Sequence, residues 1–210
     1  MAADPQLVRL FARGWAMTRG LQPPEPRHGG HYTFVGEPDQ EARYIFAALD
    51  AAAIGTLSRS ICKPWIYLKI CEQPEVVRAV LPPHWAIRQP PSWIMTKVLA
   101  PANAPLPEGY SLRIEDDGEI LGASVHYGDE AVARGRIALL GDTALFDQIS
   151  TDEPHRRKGL GRTLMQALSN AAIDRRAPKG LLSATEMGRW LYQSIGWSVH
   201  SPYTSAVIPG

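Results

Sequence analysis

The chain has 210 residues, 45% of them hydrophobic and 20% charged, a balance that suits a packed globular protein and excludes a disordered one. Its 22 basic and 21 acidic residues leave a formal net charge of +1. No global basic field draws in nucleic acid, so any anion site must be local.

Cys62 and Cys71 form neither a CxxC pair nor a metal spacing, so no disulfide framework and no metal centre is expected. No apolar run reaches the roughly 18 residues a membrane span needs. The opening MAADPQ lacks a basic region followed by an apolar core, so no secretory signal is expected there. The expected location is the cytoplasm, with no nucleic-acid or membrane partner.

In chain order, residues 5–19 read as a helix with Leu7, Leu10, Phe11, Trp15 and Met17 toward one face and Gly20 as its stop. Residues 21–30 read as a linker, broken by prolines and glycines. Strands are expected at 32–35, 43–46, 65–70 and 93–98, and helices at 48–60 and 75–81. A second proline-rich linker covers 101–109. Beyond it, strands at 110–114, 120–127 and 131–140 are separated by Asp117-Gly118 and Gly128-Asp129, which are hairpin signals. A fourth strand follows at 143–150. Leu160, Leu164, Leu168 and Ala172 then repeat every fourth position, a helix of about four turns with one buried stripe. A strand at 180–184, a helix at 187–195 and strands at 197–200 and 205–208 end the chain.

Residues 68–90 can be laid over residues 181–202, which places Trp85 on Trp197, Ile87 on Val199 and Pro90 on Pro202. Both read strand, helix, Trp-containing strand, proline. A duplicated half-domain and a chance match both fit this echo.

The most informative segment is ISTDEPHRRKGLGRTLM, residues 149–165. A strand leads into a loop, and the loop opens a helix whose first turn has free N–H groups and the positive end of the helix dipole. Gly159 and Gly161 let backbone approach a bulky anion, and Arg156, Arg157, Lys158 and Arg162 add charge. A helix cap with a solvated basic face is the plain reading of such a string, but its place after four strands and before an amphipathic helix points to a phosphate site. No GxxxxGK[ST] string occurs, and Leu164 stands where a dinucleotide fingerprint needs its third glycine.

Arg156-x-x-Gly159-x-Gly161 resembles the (Arg/Gln)-x-x-Gly-x-(Gly/Ala) signature of the GNAT superfamily, the acyl-CoA-dependent N-acetyltransferases. Residues 184–197 resemble its second motif, a strand followed by a helix with Leu191-Tyr192 and then Gly196-Trp197. The resemblance covers about residues 108–208 and omits the two helices the family usually has after its first strand. It implies an α+β fold, layered α/β/α, with a mixed, mostly antiparallel sheet flanked by helices. The expected organisation is an N-terminal helix (1–20), an α/β subdomain (30–100) that would be a degenerate half-copy, and the acetyltransferase domain (108–210).

The resemblance also implies acetyl-CoA as cosubstrate. Ile149, Ser150 and Thr151 would pair with its pantetheine arm. Arg156, Arg157, Lys158, Gly159, Leu160, Gly161, Arg162 and Thr163 would hold its pyrophosphate. Tyr192 would protonate the departing thiolate. An alkyl ammonium titrates near ~10, so an acceptor amine needs a base or a water chain at neutral pH. Asp147, on the fourth strand with the alternation parity of Ile149 and Thr151, and Glu186, at the end of the next strand, are the candidates, with His126 and His200 weaker. A low-pKa amine would need no base. The expected activity is acetyl transfer to a primary amine of a small molecule or peptide. A non-catalytic CoA-binding or regulatory module and a protein-modifying acetyltransferase remain alternatives, and a homodimer is left open.

Overall fold

Asp4 starts the first helix. Its side chain accepts the Gln6 N–H, Pro5 occupies the first turn, and α1 runs Pro5–Met17. The elements that follow are β1 (Glu25–Arg27), β2 (Gly30–Glu37), β3 (Gln40–Phe46), α2 (Ala51–Ser60), β4 (Ile66–Ile70), α3 (Pro74–Val80), β5 (Ala86–Ile87) and β6 (Ser92–Val98). After a proline-rich stretch come β7 (Tyr110–Asp117), β8 (Ile120–Tyr127), β9 (Glu130–Leu140), β10 (Thr143–Thr151), a 3-10 turn (Glu153–His155) and α4 (Leu160–Asp174). The chain ends with β11 (Lys179–Thr185), α5 (Glu186–Ser194) and β12 (Ser198–Val207).

The computed structural model describes residues 3–210. It divides into two units, one of residues up to Met95 with Ser183–Gly210, the other Thr96–Leu182. This differs from the boundaries expected at 30–100 and 108–210, because α5 and β12 group with the N-terminal elements. The pairing of β12 is the reason: Thr204–Val207 ladder antiparallel to Ile70–Tyr67 of β4. The whole is a mixed α+β fold, mostly antiparallel, with helices on the sheets.

In the first unit the strand order is β1-β2-β3-β4-β12, with β5 on β12. β3, α2 and β4 form a parallel crossover. Leu68 and Ile70 face Ile54, Leu57, Val77, Leu81 and Trp85 in a core under α2 and α3. Trp85 is 2% exposed, and its indole N–H donates to Ser58 O (3.1 Å). Trp85 directly precedes β5 and buried Trp197 directly precedes β12. The crossover β3-α2-β4 has the same element order as β10-α4-β11.

Two expectations fail locally. The linker at 21–30 contains β1, which pairs Pro26 with His31 across a turn at His28 and Gly29, both at positive φ. A proline is tolerated there because β1 is an edge strand with no neighbour on its outer side. The two strands expected at 197–200 and 205–208 are one, since Pro202 lies before the stretch that ladders with β4 and its missing N–H breaks no rung there.

In the second unit the order is β11-β10-β9-β8-β7. β7 and β8 form a hairpin in which Asp117 pairs with Ile120 across a turn of Gly118 and Glu119, so no helices intervene. α4 packs on β8, β9 and β10 with Leu160, Leu164, Leu168 and Ala172 buried, as the stripe predicted. Gly135 lies under Ile149 and Leu168, where a side chain would collide.

Candidate functional site

The site is built where β10 meets α4, inside the second unit. β10 pairs parallel to β11 only over Thr143–Leu145 against Lys179–Leu181, while its antiparallel ladder to β9 continues to Thr151. Ile149, Ser150 and Thr151 lie at the end of β10, beyond those parallel rungs. A bulge interrupts β10 between Asp147 and Ser150, with Gln148 at φ 54. Bulges of this kind re-aim a strand beside a site.

The bulge corrects one expectation. Asp147 pairs with Arg136 and Ser150 with Arg134, so Asp147 shares a face with Ser150. Ile149 lies over Gly135 on the opposite, α4 face. The extra residue cancels the simple alternation that put Asp147 with Ile149 and Thr151.

Arg156 Nε donates to Thr151 O (3.1 Å) and closes the loop onto the strand. Arg157 (φ 62) and Gly159 (φ 83) take left-handed backbone and turn the chain into α4. Gly159 is the N-cap, with no side-chain hydrogen bond there, so the first-turn N–H groups of Leu160, Gly161 and Arg162 lack a side-chain acceptor. Arg156, Arg157, Lys158 and Arg162 are exposed around that end. Lys158 Nζ donates to Tyr110 OH (3.1 Å), which in turn lies 2.8 Å from His155 Nδ1. These features fit a pyrophosphate.

Thr163 does not join them. It is 2% exposed, its N–H donates to Gly159 O (3.0 Å), and its hydroxyl donates to Pro105 O (2.6 Å). Its donors are spent inside the fold, where it ties the proline-rich stretch to α4. Leu160 is buried as well and can offer only its backbone.

The remaining candidates lie in the first unit. Glu186 opens α5 and pairs with Arg189 (2.9 Å), a first-turn carboxylate favoured by the helix dipole. Tyr192 is 9% exposed, its ring centre 6.2 Å from that of Trp197 and its edge against Gly188. His200 accepts the Asp4 N–H through Nε2 (3.1 Å), a structural role. Thus the structure gathers Asp147 and the loop residues in one unit, with Glu186 and Tyr192 in the other.

A groove of about 370 Å³ on the face bearing Arg134, Arg136 and Ser150 was not anticipated. Glu115, Ser124, His126, Arg134, Arg136 and Gln148 line it. His126 is 8% exposed, with Nε2 3.0 Å from Ser124 Oγ and Nδ1 without a partner. A signal existed: polar residues fall at every second position in both strands, Ser124 and His126 in β8, Arg134 and Arg136 in β9. Among the described residues no group of three or more His, Cys, Asp or Glu could hold a metal.

Residues 107–199 match the family model of the acetyltransferase (GNAT) domain. That range, residues 107–199, is a GNAT acetyltransferase domain. A search of curated proteins finds no match. Among solved structures, a GCN5-related N-acetyltransferase from Kribbella flavida is similar with a TM-score of 0.71 at 13% identity, over 97% of this chain and 96% of that one. Another from Sphaerobacter thermophilus has a TM-score of 0.59 at 12% identity, over 100% and 95%. A tandem GNAT protein from the clavulanic acid biosynthesis pathway has 0.57 at 11%, over 79% and 74%. At these identities the likeness is one of fold. The matched range contains the loop and first turn of α4 described above.

Proposed function

We propose that this GNAT protein is an N-acetyltransferase that moves an acetyl group from acetyl-CoA to a primary amine. The observation that carries the reading is the glycine-capped start of α4, placed after a strand whose ladder to β11 stops at Leu145. The first-turn N–H groups and the exposed basic side chains suit the pyrophosphate, and Ile149, Ser150 and Thr151 at the end of β10 would pair with the amides of the pantetheine arm. The groove beside the β10 bulge would admit the acceptor, and Asp147, on the same face as Ser150, would take its proton. The neutral amine attacks the thioester carbonyl, the C–S bond breaks, and the thiolate takes a proton or leaves as the anion. A cytoplasmic location agrees with two cysteines that remain free thiols, and no helix among the described residues is long and apolar enough to cross a membrane.

A screen of primary amines with acetyl-CoA, read by thiol release, tests the activity. Amine-dependent release supports it. Tight CoA binding without release from any amine would assign the chain to a binding module instead.

Assigning the thiolate's proton to Tyr192 rests on the motif match. A thiol leaving group of pKa ~8.5 departs at neutral pH but gains from a donor, and a phenol of pKa ~10 can supply one. Tyr192→Phe should lower kcat by roughly 10²-fold with little change in acetyl-CoA binding. Wild-type turnover in the Phe variant would leave Tyr192 as a packing residue against Trp197.

A further inference from the structure

The sheet of the first unit carries a group of cations that acetyl transfer does not use. Arg43 of β3 stands opposite Tyr67 of β4, Ile45 stands opposite Lys69, and Lys69 stands opposite Ser205 of β12. Leu68 and Ile70 belong to the core under α2 and α3. By alternation Tyr67 and Lys69 point to the other face, the one on which Trp15 of α1 meets Arg43. The Arg43 guanidinium lies 3.3 Å from the Trp15 ring centre and that of Arg19 lies 4.2 Å from it.

Lys69 Nζ donates to Ser205 Oγ (2.6 Å) and lies 4.9 Å and 5.9 Å from the ring centres of Tyr67 and Tyr203. The Arg88 N–H donates to the carbonyl of the same Ser205 (2.8 Å). Burial, then the charges of Arg43, Arg88 and Arg19, press the Lys69 ammonium down to about 7. Among the described residues the charges that shift it are those three guanidinium groups, and its hydrogen-bond acceptor is a neutral hydroxyl.

Two further buried donors adjoin Arg43. Thr33, its cross-strand neighbour in β2, is 2% exposed with its hydroxyl unpartnered. Gln40 accepts from Arg43 Nη2 through Oε1 (2.9 Å), and its amide nitrogen has no partner. The Thr33 hydroxyl thus shares the face of Arg43, and Gln40 meets the same guanidinium. The complement of such a group is a ligand of acceptor oxygens with negative charge.

We propose that Lys69, Arg43, Arg19 and Arg88 form a binding site for a multiply charged oxyanion, the phosphate or carboxylate group of a small molecule, on the α1 face of the first unit. The site is independent of the acetyl-CoA reading, because it shares no residue with the α4 loop. Lys69 supplies the charge centre, and an anion beside it favours the protonated amine. Arg88, exposed at the end of β5, is the cation a ligand meets first from solvent.

The test uses the full chain carrying Gly161→Asp, so that the α4 loop does not bind the probes. Sulfate stands in for a phosphate group and citrate for carboxylates, each compared with sodium chloride of equal ionic strength. Either probe at ten times its Kd should raise Tm by about 3–6 °C beyond the chloride control. Lys69→Met and the surface variant Arg88→Gln should each remove most of that shift. At pH 8, where Lys69 is mostly neutral, calorimetry in buffers of different ionisation heat should show uptake approaching one proton per site. Lys69→Met should take up none. A response to sulfate alone identifies a phosphate group as the ligand chemistry, and a response to citrate alone a carboxylate. Shifts no larger than chloride's for both probes would overturn the site, as would a full shift retained in both variants or proton uptake unchanged by Lys69→Met.

Discussion

Replacing Gly161 with Asp should weaken CoA binding by at least 10²-fold while the protein still folds. Gly161 is the second residue of α4, beyond an N-cap glycine that has no side chain to offer. A carboxylate in a helix's first turn interacts favourably with the dipole, by about 0.3–1 kcal/mol, so the variant should lose no stability on that account. The same carboxylate stands where the pyrophosphate would dock. Two like charges about 4 Å apart near a protein surface repel by about 4 kcal/mol, and about 1.4 kcal/mol is worth a factor of ten. Calorimetric titration with CoA and a thermal melt of the free protein measure the two quantities. A folded variant with wild-type affinity would remove the start of α4 from the site. Gly159→Ala makes a useful contrast: at φ 83 any side chain is strained, so this change should cost about 1–2 kcal/mol of stability and distort the turn.

What could be read from the sequence was local. The loop at Arg156–Gly161 is legible because glycine and positive charge act within one turn of helix, and the β7–β8 hairpin because Asp117-Gly118 encodes its own turn. The stripe Leu160, Leu164, Leu168 and Ala172 marked α4 for the same reason. What was missed depends on residues far apart in the chain. Thr163 looks like a phosphate ligand until Pro105, 58 residues earlier, takes its hydroxyl proton. β12 belongs with the N-terminal elements through rungs such as Ser205 to Lys69, 136 residues apart. The bulge in β10 leaves no mark in a pattern of alternating side chains, yet it decides which face Asp147 occupies. Pro26 argued against a strand because a sequence does not say which strand lies at an edge.

The same distance hides Lys69, whose environment is assembled from α1, β3, β4, β12 and the segment after β5. In the middle of IYLKI it reads as the polar face of an ordinary strand, whereas the fold places it beside Arg43, Arg88 and Arg19. Its ammonium titrates at about 7 in the folded chain against 10.5 in the free side chain. Between those values the unfolded chain holds a proton that the folded chain has released, so stability must rise with pH. Below pH 7 both states are protonated and the whole penalty is present. Other groups bound the useful window. Burial and Arg9 lower His31 from 6.5, which also makes stability rise with pH, but in the acid range. Burial raises the Cys71 thiol from 9.0 to about 11, and there the unfolded thiol ionises first, so stability falls above pH 9. Burial also lowers Lys97 from 10.5, which adds a slope of the same sign, so the part of the slope that belongs to Lys69 is the part Lys69→Met removes. In urea denaturation with chloride as the only added anion, the wild-type chain should gain about 2 kcal/mol over that interval. Lys69→Met keeps the length of the side chain, removes the charge, and should lose most of that gain across the same interval and be more stable than wild type at pH 7. The upper bound on that gain is about 5 kcal/mol, the full shift at about 1.4 kcal/mol per pH unit, less whatever the Ser205 hydroxyl loses with its donor. A wild-type chain whose stability does not change from pH 7 to 9 would mean that Lys69 keeps its proton, and that a negative charge already faces it in the folded protein.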